Sequence, residues 1–301
     1  MRHFLTRLAS AATLGLALAG TGSAAFASNA GNAYGERQLA VDLDARCGLF
    51  TEGQRAALDA ARLQARGMAL RDGYSASTLD NYARQIAAQA DATDCTMPEV
   101  ADMRARVADA FNAWQVIRDM NFPGQDFTWA ATRSYIEGRL GWALLQDTGE
   151  IRVGMARIDD TRRLTAVLPA TRGAASAVLV LRDTRRSPEL YDVTMGGMFP
   201  APEGASWVHW TPPDYARTLI WAAGRGSAAD AQALGSTGSE LVFEFTDRAA
   251  DELAARDPRE AARIELIDRQ GNVVATHYFE VGDFAAGRAF IHAGDPAAPR
   301  S

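Results

Sequence analysis

Lysine is absent from the chain, so every one of its 31 Lys-or-Arg positions is an arginine. A guanidinium stays protonated at any physiological pH and never offers a neutral amine. Schiff-base and pyridoxal-phosphate chemistry, Ser–Lys nucleophile pairs and a P-loop lysine are therefore excluded. Cysteine is nearly absent, with two residues, and histidine numbers four. No Cys-x-x-Cys pair, His-Glu-x-x-His helix, Gly-x-Ser-x-Gly elbow or post-strand glycine fingerprint occurs. The sequence thus points to no metal, no cofactor and no catalytic residue set. Positive charge is also in deficit, 31 arginines facing 37 acids for a net charge of −6. That balance argues against a nucleic-acid partner, whose phosphates would need a basic surface.

What is present begins with an export signal. Arg2, His3 and Arg7 precede an apolar run from Leu8 to Gly20, and Ala25-Phe26-Ala27 fits the small-x-small cleavage pattern. Residues 1–27 are read as a signal peptide, cleaved after Ala27 or after Ala25. The run is short and rich in small residues for a span of about 20 residues. The expected product is a periplasmic or secreted protein with no membrane span after cleavage.

Residues 28–40 read as a polar linker and 41–120 as a helical domain. Thr51 with Gln54 forms a capping box, and an Ala/Leu-rich helix carrying Leu58, Ala61, Ala65 and Met68 runs to a stop at Gly73. A second helix opens at Ser77 or Thr78 and presents Leu79, Tyr82, Ala83, Ile86 and Ala90. Thr96 with Glu99 makes another capping box, followed by the stripe Val100, Met103, Val107, Phe111, Trp114 and Ile117. Such a stripe is more often core than cofactor site.

The short turn between the first two of these helices predicts an antiparallel hairpin. Cys47 precedes the one and Cys95 follows the other, so both lie at the same open end. In an oxidising compartment the geometry predicts a Cys47–Cys95 disulfide. Free thiols or metal ligands are the competing readings, but no histidine lies near either cysteine in sequence.

After Asn121-Phe-Pro-Gly124 the texture changes, and residues 126–294 read as a β-rich domain. Strands are expected at 142–146, 151–157, 164–168, 177–181, 207–210, 218–222, 241–245, 262–267 and 273–281, with a hairpin turn at Asp268–Asn272. Short helices are expected at 247–256 and 283–292. The fold class is α+β: a helical segment followed by an antiparallel β-sandwich-like or partly open barrel domain. Regions 184–205 and 224–238 lack regular pattern, and the tail 295–301 reads as disordered.

Local chemistry is sparse. Asp42 with Asp44, and Asp159 with Asp160, are neighbouring carboxylates of the kind that solvate turns and helix starts. Gly235–Ser239 is a Gly/Ser turn with no lysine to bind phosphate. The most unusual feature is Trp207-Val208-His209-Trp210. Strand alternation places Trp207 with His209 on one face and Trp210 on the other. With Met198 from the preceding loop, Trp207, His209 and Trp210 form a candidate ligand-facing edge, against the plainer reading that both tryptophans are core.

The run Glu240-Leu-Val-Phe-Glu-Phe245, then Arg263-Ile-Glu-Leu-Ile-Asp-Arg-Gln-Gly-Asn272, then Phe284-Ala-Ala-Gly-Arg-Ala289 resembles exported proteins of the invasion-associated locus B type. That resemblance covers about the last fifth of the chain and implies a secreted β-sandwich without established catalysis. The whole chain, with Cys47-Gly-Leu-Phe50 before an Ala-rich helix pair, also looks like uncharacterised exported bacterial proteins, a likeness that implies no activity. The leading expectation is a non-catalytic interaction or ligand-binding module, its partner an envelope protein or a small ligand. The rivals are an envelope hydrolase built around His209 or His277, and a structural spacer.

Overall fold

Alanine, the strongest helix former, is abundant between residues 30 and 119. The computed structural model describes residues 30–136, 139–157, 163–190, 210–236 and 238–293. The signal peptide, the 295–301 tail and the turn at Asp159–Asp160 lie outside them. Four helices come first: α1 (Ala30–Cys47), α2 (Glu52–Arg71), α3 (Ala76–Ala92) and α4 (Pro98–Gln115). The Thr51 capping box forms in full, with Gln54 N–H donating to Thr51 Oγ1 and Thr51 N–H to Gln54 Oε1.

Two expectations for this segment are corrected. Residues 30–40 are not a polar linker but the first half of α1. The helix buries Ala30 and Tyr34 against Leu70 and Leu79. A side chain at Gly31 or Gly35 would collide with the ring of Tyr74 or Tyr82, so the glycines admit a close helix packing rather than a flexible lead-in. The Thr96–Glu99 capping box does not form. Thr96 instead gives its N–H and hydroxyl to Asp94 Oδ1 at 2.9 and 2.8 Å, and Met97 stands at the helix N-cap with no side-chain bond. The helix α3 is capped by Ser75, two residues ahead of Ser77.

Cys47 ends α1 and Cys95 follows α3, and the two are joined by a disulfide with Cα atoms 5.8 Å apart. Arg46 reinforces the same end by donating to the carbonyls of Ala90 and Thr93. Asp44 is held by Phe50 N–H at 2.7 Å and Arg55 at 3.2 Å, a helix-end role.

Ten strands follow: β1 (Asp119–Pro123), β2 (Thr128–Ile136), β3 (Arg139–Asp147), β4 (Arg152–Ala156), β5 (Thr165–Leu168), β6 (Ser176–Arg182), β7 (Arg217–Arg225), β8 (Leu241–Phe245), β9 (Ala261–Ile267) and β10 (Val273–Glu280). Three short helices join them: α5 (Ala228–Ala233), α6 (Asp247–Ala254) and α7 (Phe284–His292). All pairings are antiparallel, in the order β1-β2-β3-β4-β5-β8-β7-β6-β9-β10. The hairpin β1–β2 was not expected from the sequence, and α5 with the end of β7 occupies much of the stretch read as patternless.

The sheet is open, and its two ends are stitched by side chains rather than by a ladder. The carboxylate of Glu280, ending β10, accepts from the backbone N–H groups of Gln125, Asp126 and Phe127 in the β1–β2 turn, at 2.8–3.1 Å. Burial raises the Glu280 pKa above the ordinary carboxylate value, against those donors. Trp129 Nε1–H donates to Val281 O at 2.9 Å, and Gln146 bonds both backbone groups of Glu280. A single large core runs through this fold, with Trp129, Phe279, Phe284, Phe243 and Phe290 at its centre.

The helical segment docks on that core through α2, α4 and α7. Arg71 of α2 grips Asp283 at the start of α7 with two bonds of 2.6 and 2.7 Å. Gly67 lies one turn earlier, where any Cβ would overlap the Asp283 carboxylate. Arg133 of β2 lies over the rings of Trp114 and Phe290, 4.4 and 3.9 Å from their centroids, and donates to the carbonyls of Trp114 and Ile117 at the end of α4.

Candidate functional site

Register decides which side chains of the β7-β6-β9-β10 quarter look inward. Residues directly opposite share a face. Ile220, Leu179, Ile264 and His277 stand in one row across the four strands, and this row belongs to the core face. The outer face carries the row Leu219, Val180, Arg263, Tyr278 and the next row Trp221, Val178, Glu265, Thr276. Val178, Val180 and Ile267 make a small apolar cluster there, beside an Arg263–Glu265 ion pair at 2.6 Å.

The margin of this face at β7 is unusually apolar and open. Tyr215, in a short 3-10 turn just before the strand, is 65% exposed, and Leu219 and Trp221 are each 55% exposed. Arg217, Leu219 and Trp221 alternate along one strand face, so their spacing is about 7 Å. Arg217 is partly buried and pairs with Asp214. Burial, then the nearby Arg263, lowers its pKa from the arginine value, with Asp214 and Glu265 opposing. Three large apolar side chains thus stand in seven residues, flanked by arginines already held in ion pairs. Such a surface offers contact area and cation–π faces to a partner, but no converging reactive groups.

The residues singled out from sequence are only partly visible. Trp207, His209 and Met198 lie outside the described residues. Trp210 is half-buried, with the Arg259 guanidinium 5.8 Å from its ring centroid. Trp221 escaped notice because its strand reads like any other; its exposure depends on which face of β7 the register turns outward.

His277 is placed where a catalytic role finds little support. Its Nδ1 lies 2.7 Å from Glu150 Oε1, a histidine–carboxylate pair. The ring, however, is in the inward row of β10, and its Nε2 is enclosed without a hydrogen-bond partner among the described residues. Glu150 is 62% exposed at the β3–β4 turn. A general base must reach the proton it takes, and this nitrogen is shielded from solvent. His292 lies edge-on to Trp142 at 5.0 Å. Among the described residues no group of three or more His, Cys, Asp or Glu is arranged to hold a metal ion, and no helix is long and apolar enough to cross a membrane. Compared with known proteins, the chain matches no family model, no curated protein and no solved structure.

Proposed function

We propose that the protein is a non-catalytic interaction module exported to the periplasm or beyond, and that it docks an envelope partner on the Tyr215–Leu219–Trp221 margin of its sheet. The observation that carries this reading is the exposure of Leu219 and Trp221 on one face of β7, with Tyr215 exposed in the turn just before it. Exposed apolar side chains are common singly, but a clustered group rimmed by charge marks an interaction surface. Tryptophan, tyrosine and arginine are also the residues that dominate binding energy at interfaces. The Cys47–Cys95 disulfide supports an oxidising compartment.

Leu219→Asp combined with Trp221→Ala tests it. The purified wild type is expected to retain a discrete partner from cell-envelope extract that the double variant, equally folded by circular dichroism, does not retain. Equal retention by both would remove this face from the function.

A further inference from the structure

The exposed strip along β7 has an internal order. Strand alternation turns Arg217, Leu219, Trp221 and Ala223 to the outer face, while Ile220 and Ala222 belong to the core side. Tyr215 stands 65% exposed in the turn at the start of the strip. Ala223 and Gly224 are exposed at its other end, and a Cβ added to Gly224 would meet no atom within 4 Å. The strip therefore runs from a bulky end to a low, open one, with Leu219 midway between Tyr215 and Ala223.

Such a strip is complementary to itself when reversed. A two-fold axis through Leu219, lying between two facing sheets, sets each residue opposite the one equally far along the strand on the other side of Leu219. Leu219 then meets the partner's Leu219, and Tyr215 covers the partner's Ala223 and the open space at Gly224. The Trp221 ring faces the partner's Arg217, whose side chain is 24% exposed and crowded by Arg263 of its own copy. A guanidinium against a tryptophan face is a favourable pairing, and the axis makes it twice. Within one copy, Arg217 and Trp221 are about 14 Å apart along the strand, with Leu219 between them.

We propose that the occupant of this margin is a second copy of the chain, packed face to face about a two-fold axis at Leu219. This rests on the reading of the margin as a docking face and names its partner. The exposed parts of Tyr215, Leu219 and Trp221 amount to roughly 400 Å² per copy. A standard interface takes about 800 Å² per partner, so the dimer is a weak one that forms with rising concentration.

Sedimentation equilibrium of the purified protein, up to about 1 mM, tests the arrangement. The wild-type mass is expected to climb toward that of a dimer, with a dissociation constant on the order of 100 μM. Ala223→Gln, which fills the low end, should weaken the dimer about five-fold, as should Arg217→Gln and Trp221→Leu, all equally folded by circular dichroism. Arg217→Gln combined with Trp221→Leu should be no weaker than Trp221→Leu alone, a coupling that the contact across the axis supplies. Strict additivity of the two losses, or a dimer indifferent to Ala223→Gln, would overturn the two-fold arrangement. A wild type that stays monomeric throughout would overturn the second copy as occupant. If that monomer still retained a different envelope protein that Leu219→Asp with Trp221→Ala loses, the docking face itself would stand.

Discussion

Arg71 and Asp283 stand 212 positions apart in sequence yet meet through two bonds of 2.6 and 2.7 Å, with the Asp283 side chain 1% exposed. This pair ties α2 to the first residue before α7, and so fixes the helical segment against the end of the sheet. A buried ion pair is expensive to break from one side, because the remaining charge is stranded. Asp283→Asn is therefore expected to lower stability by about 3 kcal/mol, and Arg71→Leu by a similar amount. The double variant should cost clearly less than the sum, because it leaves no orphan charge. Urea denaturation of the four proteins measures the coupling, and strict additivity would deny that the pair acts as a unit.

Gly67 supplies a contrary-signed test of the same junction. Glycine to alanine inside a helix ordinarily stabilises by about 1 kcal/mol. Here an added Cβ would overlap the Asp283 carboxylate, so Gly67→Ala is expected to destabilise by about 2 kcal/mol. A rise in thermal midpoint would show that α2 and Asp283 are not held so closely.

The disulfide closes a loop with a sequence separation of 48. On the chain-entropy account its removal costs about 4 kcal/mol. Cys47→Ser with Cys95→Ser should lower the denaturation midpoint, and limited proteolysis should cut first around α1 and α3. The β-rich part, which lies outside the loop that the disulfide closes, should resist longer.

Glu280 gives a pH dependence of definite sign. Its folded pKa is raised above the ordinary carboxylate value by burial. A group so shifted binds its proton more tightly in the folded state, so its contribution is full below the unfolded pKa and is lost as pH rises through the folded pKa. Glu280→Gln has no such term. The stability advantage of wild type over Glu280→Gln is thus expected to be larger at pH 4 than at pH 7, by urea denaturation at each pH. A gap that widens toward neutral pH would mean that the three backbone donors outweigh burial.

Much of this architecture was legible where one rule acted alone. The Thr51 capping box and the strands at 241–245 and 262–267 follow from local chemistry or simple alternation; the Cys47–Cys95 pairing holds, but through α1, which packs on both α2 and α3, and not through the close α2–α3 hairpin expected. The failures share a different cause. The helix α1 was hidden because residues 28–40 read as a polar linker, whereas the small size of Gly31 and Gly35 is what admits Tyr74 and Tyr82. The strand β2 was hidden because Arg133 is buried in an otherwise alternating run, its charge satisfied by two rings and two distant carbonyls. Thr96 was read as a cap because the motif says nothing of Asp94 as a competing acceptor. The candidate site was the least legible part. Trp221 and Ile220 are neighbours of similar character, and only the pairing of β7 with β6 decides which of them faces the core.

The central claim is that the Tyr215–Leu219–Trp221 margin is a docking face, and site-specific photocrosslinking tests it most directly. A photoreactive residue is placed at Trp221 and, as a control of equal or greater accessibility, at Val116 on the helical segment, where the native side chain is 79% exposed. Irradiation in the intact cell envelope is expected to give a discrete, light-dependent adduct from position 221 and none from position 116. The same ladder of adducts from both positions, or no adduct from 221, would contradict the account.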